Sequence, residues 1–213
     1  PTVLADAPNA RGGTWSEDGK IVFTPFNFET TMLRIPAAGG TPVVFTPLDK
    51  AASERNQRWP QFLPGGKAIL FVSHTSFSNF DDATIVGLSL ADGQRKTLVK
   101  GAGYARYMAP GFLLFVRGGA LFGVRFDPDR LETTGPEFQL QDQVLYASLT
   151  GNAQFDVAAN GAMIFQPGTE SEDLLTLQWL DAVGKLTPLV QKAGAYLRPR
   201  FSPDGSLLAF QVI

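Results

Sequence analysis

The sequence predicts an all-β protein: a β-propeller of four-stranded antiparallel blades, about five of them present and the last one incomplete. Three observations carry this. A turn glycine followed by a short apolar strand recurs at Gly19, Gly66, Gly111, Gly161 and Gly205, in steps of 47, 45, 50 and 44 residues, and a propeller blade of four strands takes about 40–50 residues. The 213 residues include 22 Gly, 15 Pro and 17 Phe, a mix that suits short strands joined by many turns. No long stretch shows the 3.6-residue apolar period of a helix.

The five turns are Ser16-Glu17-Asp18-Gly19-Lys20, Leu63-Pro64-Gly65-Gly66-Lys67, Ala109-Pro110-Gly111, Ala158-Ala159-Asn160-Gly161 and Ser202-Pro203-Asp204-Gly205-Ser206. Asp-Gly, Gly-Gly and Asn-Gly reach positive φ at little cost and close tight hairpins. The strands that follow are Ile21-Val22-Phe23, Ile69-Leu70-Phe71, Phe112 to Phe115, Met163-Ile164-Phe165 and Leu207 to Phe210. Each of the first four repeats then supplies two more strands: Met32–Pro36 and Pro42–Phe45, Ile85–Leu90 and Arg95–Val99, Leu121–Phe126 and Glu137–Val144, Leu175–Leu180 and Leu186–Val190.

The blades therefore span about 11–47, 57–100, 103–145 and 152–191, with a partial blade at 196–213 and an outer strand within 1–5, all in one domain. Leu48 to Gln57 is expected to form one or two helical turns. Four residues before each turn glycine stand Trp15, Phe62, Tyr107, Val157 and Phe201; after each turn stand Phe23, Phe71, Phe115, Phe165 and Phe210. Both series are expected to pack between blades.

A formal net charge of −2 leaves no basic surplus for neutralising phosphates, so nucleic acid is not an expected partner. No apolar run approaches the roughly 20 residues that span a bilayer. With no cysteine, disulfides and thiolate metal sites are excluded. The chain begins at Pro1 without Met or a signal segment and stops at Ile213 inside an apolar run, which reads as a piece of something longer.

Chemistry-bearing patterns are sparse, and no cofactor is expected. The single histidine, His74, follows a strand and enters a Ser/Thr loop, so it reads as a surface loop residue. Gly87-Leu88-Ser89-Leu90-Ala91 lacks the second glycine of a nucleophile elbow. Asp81-Asp82 and Asp127-Asp129 offer carboxylates for calcium, but Asp also caps turns, and that is the simpler reading. Glu170-Ser171-Glu172-Asp173 reads as a solvated hairpin loop, and Gly101-Ala102-Gly103 lacks the Lys-Ser/Thr of a phosphate loop.

One constellation is a candidate ligand site. The leading ends of the innermost strands face one mouth of a propeller channel, and there the repeat places Arg11, Arg58, Trp59, Tyr104, Arg106, Gln154, Tyr196, Arg198 and Arg200. Arginines and aromatics at a concave mouth suit a small anionic or peptide-like ligand, or a protein partner. The competing expectation is that the arginines pair with carboxylates of neighbouring blades and the aromatics pack.

The elements Arg58-Trp59-Pro60-Gln61-Phe62-Leu63-Pro64-Gly65-Gly66-Lys67 and Phe201-Ser202-Pro203-Asp204-Gly205 resemble those of TolB-like propellers. Gly12-Gly13-Thr14-Trp15, Ile35 to Gly40 and Phe126 to Leu131 resemble a narrower group, the C-terminal extracytoplasmic propellers of bacterial membrane-anchored serine/threonine protein kinases. The resemblance covers nearly the whole chain and implies a periplasmic or extracytoplasmic, non-catalytic sensor or scaffold. The chain itself has neither a kinase glycine-rich loop nor a His-Arg-Asp loop. Ser-Pro-Asp-Gly repeats also mark propellers that gate serine peptidases, which is the alternative. A hydrolase or lyase site at the mouth is a third reading, and scattered carboxylates give it little. An incomplete blade leaves a sheet edge, so the last two strands are expected to pair with the N-terminal segment, or two chains to associate there.

Overall fold

A computed structural model describes residues 3–168 except 27, 77–78, 158–160 and 162, and beyond them the backbone of 174–175, 178–180, 186–188, 194–201 and 208–212. The chain divides into two compact units, Pro1–Thr169 and Glu170–Ile213.

The first unit holds three four-stranded antiparallel sheets, each joined in simple sequence order. The first sheet is β1 (Gly13–Trp15), β2 (Lys20–Phe23), β3 (Leu33–Pro36) and β4 (Val43–Val44). The second is β5 (Asn56–Phe62), β6 (Ala68–His74), β7 (Thr84–Ser89) and β8 (Arg95–Lys100). The third is β9 (Tyr104–Met108), β10 (Phe112–Arg117), β11 (Ala120–Asp127) and β12 (Glu132–Gln141). A two-residue pair follows, β13 (Tyr146–Ala147) with β14 (Asn152–Ala153), and then the hairpin of β15 (Phe155–Val157) and β16 (Met163–Phe165).

In the second unit β17 (Leu174–Leu175) pairs with β20 (Gly194–Phe201), which pairs with β21 (Leu208–Val212); β18 (Gln178–Leu180) pairs with β19 (Leu186–Pro188). The turns expected at 158–160, 181–185 and 202–207 lie outside the described residues.

Propeller blades pack face to face, so their middle strands are buried on both sides and read as unbroken apolar runs. β6 shows this directly. Ile69 and Phe71 join Val22, Met32 and Leu88 of the first two sheets. Their neighbours Leu70 and Val72 point the other way and join Leu113, Phe115 and Val124 of the third sheet. Leu114 and Val116 of β10 continue the layering toward Val144 and Phe155.

β5 carries a bulge. Arg58 lies opposite Val72 and Gln61 opposite Leu70, so Trp59 and Pro60 together oppose Phe71. Proline has no N–H for the ladder and is tolerated at a bulge. Trp59 takes φ 55 there. β20 repeats the device: Leu197 faces Gln211 and Arg200 faces Ala209, leaving Arg198 and Pro199 as the extra pair.

Several expectations need correction. Residues 48–57 form no helix. Asp49 Oδ1 accepts from Ala51 N at 3.0 Å and Ala52 N at 3.1 Å, and Glu54 N bonds Asp49 O at 2.9 Å, closing a single turn. Asp has alternatives to the helical ladder in its own neighbourhood and uses them here. Val3 and Leu4 belong to no strand, and residues 1–2 lie outside those described.

His74 is not a surface residue; it is 2% exposed. Its ring stacks on Phe80 at 4.4 Å, and the Arg58 guanidinium lies 4.1 Å from the same ring. Nε2 lies 2.6 Å from Asp82 Oδ1, and Nδ1 lies 2.8 Å from Ser76 O and 3.1 Å from Ser76 N. The turn Phe80–Asp82 folds the loop back over the ring, which spacing alone does not reveal. Asp127 Oδ1 caps its own turn, accepting from Asp129 N and Arg130 N.

Phe80 is 0% exposed and is the common surface for His74, Arg58 and Gly151. Phe80→Ala is expected to lower the unfolding free energy by about 3–5 kcal/mol, as for other buried phenylalanines. Urea denaturation checks this, and a loss below about 1 kcal/mol would contradict the packing described.

Candidate functional site

The first strands of consecutive sheets, β1, β5, β9 and β15, lie side by side, each against the next. Each has one edge paired within its own sheet; the other carries no ladder, apart from the isolated bridge of Thr30 with Asn56 at the start of β5. Half-buried backbone N–H groups on that edge need acceptors, and for β5 and β9 the preceding repeat supplies three. Trp59 N donates to Arg11 O at 2.9 Å, Phe62 N to Thr14 Oγ1 at 3.1 Å, and Tyr107 N to Gln61 Oε1 at 2.7 Å. Thr14, Gln61, Arg106 and Asp156 occupy the same place in successive repeats, one residue before Trp15, Phe62, Tyr107 and Val157. At the third junction the pair is ionic, Arg106 Nε standing 3.5 Å from Asp156 Oδ1.

At the leading ends the predicted site residues are divided. Arg58 is 1% exposed, donates to Thr150 O at 3.0 Å and lies on Phe80. Burial, with a contribution from Arg11, pushes its pKa down to about 10, so it stays charged at neutral pH. Trp59 Nε1 donates to the same Thr150 oxygen at 3.2 Å, and its ring meets Tyr104 at 5.7 Å. The segment between β13 and β14 therefore lies across the start of β5, and Arg58 and Trp59 hold it there. Arg58 is a structural residue rather than a group facing a ligand.

Tyr104 is buried against Phe155 at 5.3 Å, with Arg106 over its ring at 4.3 Å. Burial raises the phenol pKa. Arg11 bonds the Asn9 and Ala10 carbonyls, and partial burial lowers its pKa. Gln154 is exposed and shares a recess of 410 Å³ with Tyr104, Asp156 and Ile164. Tyr196, Arg198 and Arg200 lie in β20, and their side chains fall outside the described residues.

At the opposite ends the four strands converge on a recess of 350 Å³ that takes residues from all of them: Trp15, Gln61, Phe62, Tyr107 and Val157. Trp15 is 65% exposed, and Phe62, Tyr107 and Val157 are half-buried. Trp15 departs from the reading of that series as inter-blade core, whereas Phe62, Tyr107 and Val157 each pack against a core cluster; in the series after the turn Phe71 and Phe115 are 1% and 0% exposed. A signal was present in the sequence. The mouth series mixes Trp and Tyr, whose polar handles suit half-wet positions, whereas the other series is Phe throughout. An aromatic recess of this size, framed by backbone turns and one amide, can hold an apolar side chain and hydrogen-bond beside it. Among the described residues no three His, Cys, Asp or Glu side chains gather to hold a metal.

No protein-family model matches the chain, and no curated protein does. Solved structures match in fold. A TolB protein from Agrobacterium tumefaciens aligns at 17% identity and TM-score 0.52 over 98% of this chain and 78% of that one. A calcium-binding protein, regucalcin, from the same organism aligns at 15% and 0.52, over 94% and 67%. An auxiliary nutrient binding protein from Bacteroides thetaiotaomicron aligns at 11% and 0.53, over 92% and 51%. The chain thus spans 51% to 78% of the length of these structures, and 63% of a streptogramin B lyase that also matches. The fold is a β-propeller of four-stranded antiparallel blades, and the chain is similar to TolB-like members of that class.

The acceptor role of Gln61 is testable apart from any ligand. Gln61→Leu removes the acceptor of Tyr107 N–H and is expected to cost about 1–2 kcal/mol, while Gln61→Glu, which keeps an acceptor, costs under about half of that. Equal losses in chemical denaturation would contradict the assignment.

Proposed function

We propose that this chain is a non-catalytic recognition propeller, binding a protein or peptide-like ligand at the aromatic mouth where β1, β5, β9 and β15 end. The observation that carries the reading is the convergence of Trp15, Phe62 and Tyr107 on one recess with Trp15 largely exposed. Aromatic anchors on rigid strands, rimmed by turns, are the usual make-up of a binding hot spot. The chemistry around the histidine supports it as well: both ring nitrogens of His74 are engaged and the ring is buried, so it is not placed to activate a nucleophile.

The attachment of this domain to a parent protein rests on sequence alone. The order of Gly12 to Trp15, Ile35 to Gly40 and Phe126 to Leu131 resembles kinase-attached propellers, so the parent protein is proposed to be a bacterial membrane-anchored signalling kinase with this domain outside the cytoplasm. Among the described residues no helix is long and apolar enough to cross a membrane. Reading the parent gene tests the attachment: an upstream kinase domain and membrane span support it, and a downstream peptidase domain replaces it.

A phage-displayed peptide library panned on the full chain tests the mouth. Enriched peptides are expected to lose at least tenfold in affinity on Trp15→Ala and on Tyr107→Ala, since truncating a hot-spot aromatic costs about 2 kcal/mol or more. No enrichment over bare support, or enrichment indifferent to both substitutions, would overturn the proposal.

A further inference from the structure

A second cleft lies between the first two sheets, on the turn side, with a volume of 720 Å³. It shares Ser16, Phe62 and Gly66 with the mouth and takes the rest of its lining, Arg34 included, from other residues. We infer that it binds a small organic acid, one carboxylate on an apolar body, with Arg34 as the carboxylate's partner.

The inference starts from an irregularity in the repeat. In the second and third sheets the residue paired with the one before the buried phenylalanine is glycine: Leu70 faces Gly87, and Leu114 faces Gly123. Neighbours occupy the space beside both. A Cβ on Gly87 would stand 3.2 Å from Leu131, and one on Gly123 would stand 2.8 Å from Phe138. In the first sheet the corresponding pair is Val22 and Arg34. Val22 is 0% exposed and packs with the second sheet, so Arg34 is borne on the face that looks across the cleft. The place that packing fills in the other sheets here carries a cation.

Arg34 is exposed and, among the described residues, has no ion pair or hydrogen bond. The other charges of the cleft are matched. Lys20 pairs with Asp18 at 2.5 Å. Arg95 pairs at 2.9 Å with Glu54, whose side chain is 1% exposed, and also bonds Thr46 Oγ1 at 2.8 Å and Pro47 O. Asp49 Oδ1 is turned to its own backbone. Phe45, Phe62 and Leu88 supply an apolar lining, the first two in edge contact at 6.5 Å. A volume of this size suits a small molecule, and an unpaired guanidinium beside apolar surface matches a carboxylate whose body needs burial.

Isothermal titration of the full chain at low salt tests this with 3-phenylpropionate, its neutral amide, and the peptide Gly-Gly-Phe. The acid is expected to bind with a Kd on the order of 0.1–1 mM, the amide at least tenfold more weakly, and the acid to Arg34→Gln at least tenfold more weakly. Arg34→Lys is expected to recover part of the affinity. An unchanged urea midpoint for Arg34→Gln shows that the variant is folded. No saturable binding of the acid, equal binding of acid and amide, or insensitivity to Arg34→Gln would each overturn the inference. Tighter binding of the peptide than of the free acid would overturn the assignment to a small acid.

Discussion

The innermost strands depend on hydrogen bonds that leave their own sheets. A sheet's first strand has an unpaired edge, and an unpaired edge is both a desolvation cost and an invitation to aggregation. At β5 and β9 that edge is answered from the preceding repeat: Thr14 accepts by its hydroxyl, Gln61 by its side-chain carbonyl and Arg11 by its backbone carbonyl. The residue before each described mouth residue is polar, Thr14, Gln61, Arg106 and Asp156: the first two accept a backbone N–H of the next sheet, and the last two pair with each other. Packing between the middle strands then holds the faces together, while these lateral bonds fix the relative height of neighbouring sheets.

That height has a functional consequence. Because the stitch residues directly precede Trp15, Phe62, Tyr107 and Val157 near the ends of the innermost strands, these four form one recess. The other ends are shaped differently. There Arg58 and Trp59 bind the Thr150 carbonyl, and Phe80 is enclosed between His74 and Arg58. A buried guanidinium is costly without partners; its contacts with Thr150 O and the Phe80 face supply them, which makes that region scaffold. The two ends of the same strands thus divide between support and recognition.

The period of the turn glycines made the fold legible, because a tight hairpin needs positive φ and glycine supplies it: Gly19, Gly66, Gly111 and Gly161 all have it. The bulges were half visible in Trp59-Pro60 and Arg198-Pro199, where a proline stands inside a strand. The site was harder to read. Arg58 and Tyr104 lie toward the leading ends of β5 and β9, and Arg106 lies beside the mouth residue Tyr107, but residue type does not say whether an arginine meets a ligand or a carbonyl from residue 150. His74, the last residue of β6, misled for a related reason, since its burial depends on a turn six residues later. The residue types Trp15 and Tyr107 hinted at half-wet positions, but how far Trp15 is exposed depends on which neighbours stand around the mouth. Arg34 stands out only after the strand register aligns it with Gly87 and Gly123.

Amide hydrogen exchange on the intact chain tests the lateral stitching most directly. The amides of Phe62 and Tyr107 lie on edges with no strand partner, yet each has a side-chain acceptor in the neighbouring sheet. They are expected to exchange at least about a hundredfold more slowly than in an unstructured peptide. Exchange of both within about threefold of the unstructured rate would mean that the sheets are not joined through their innermost strands.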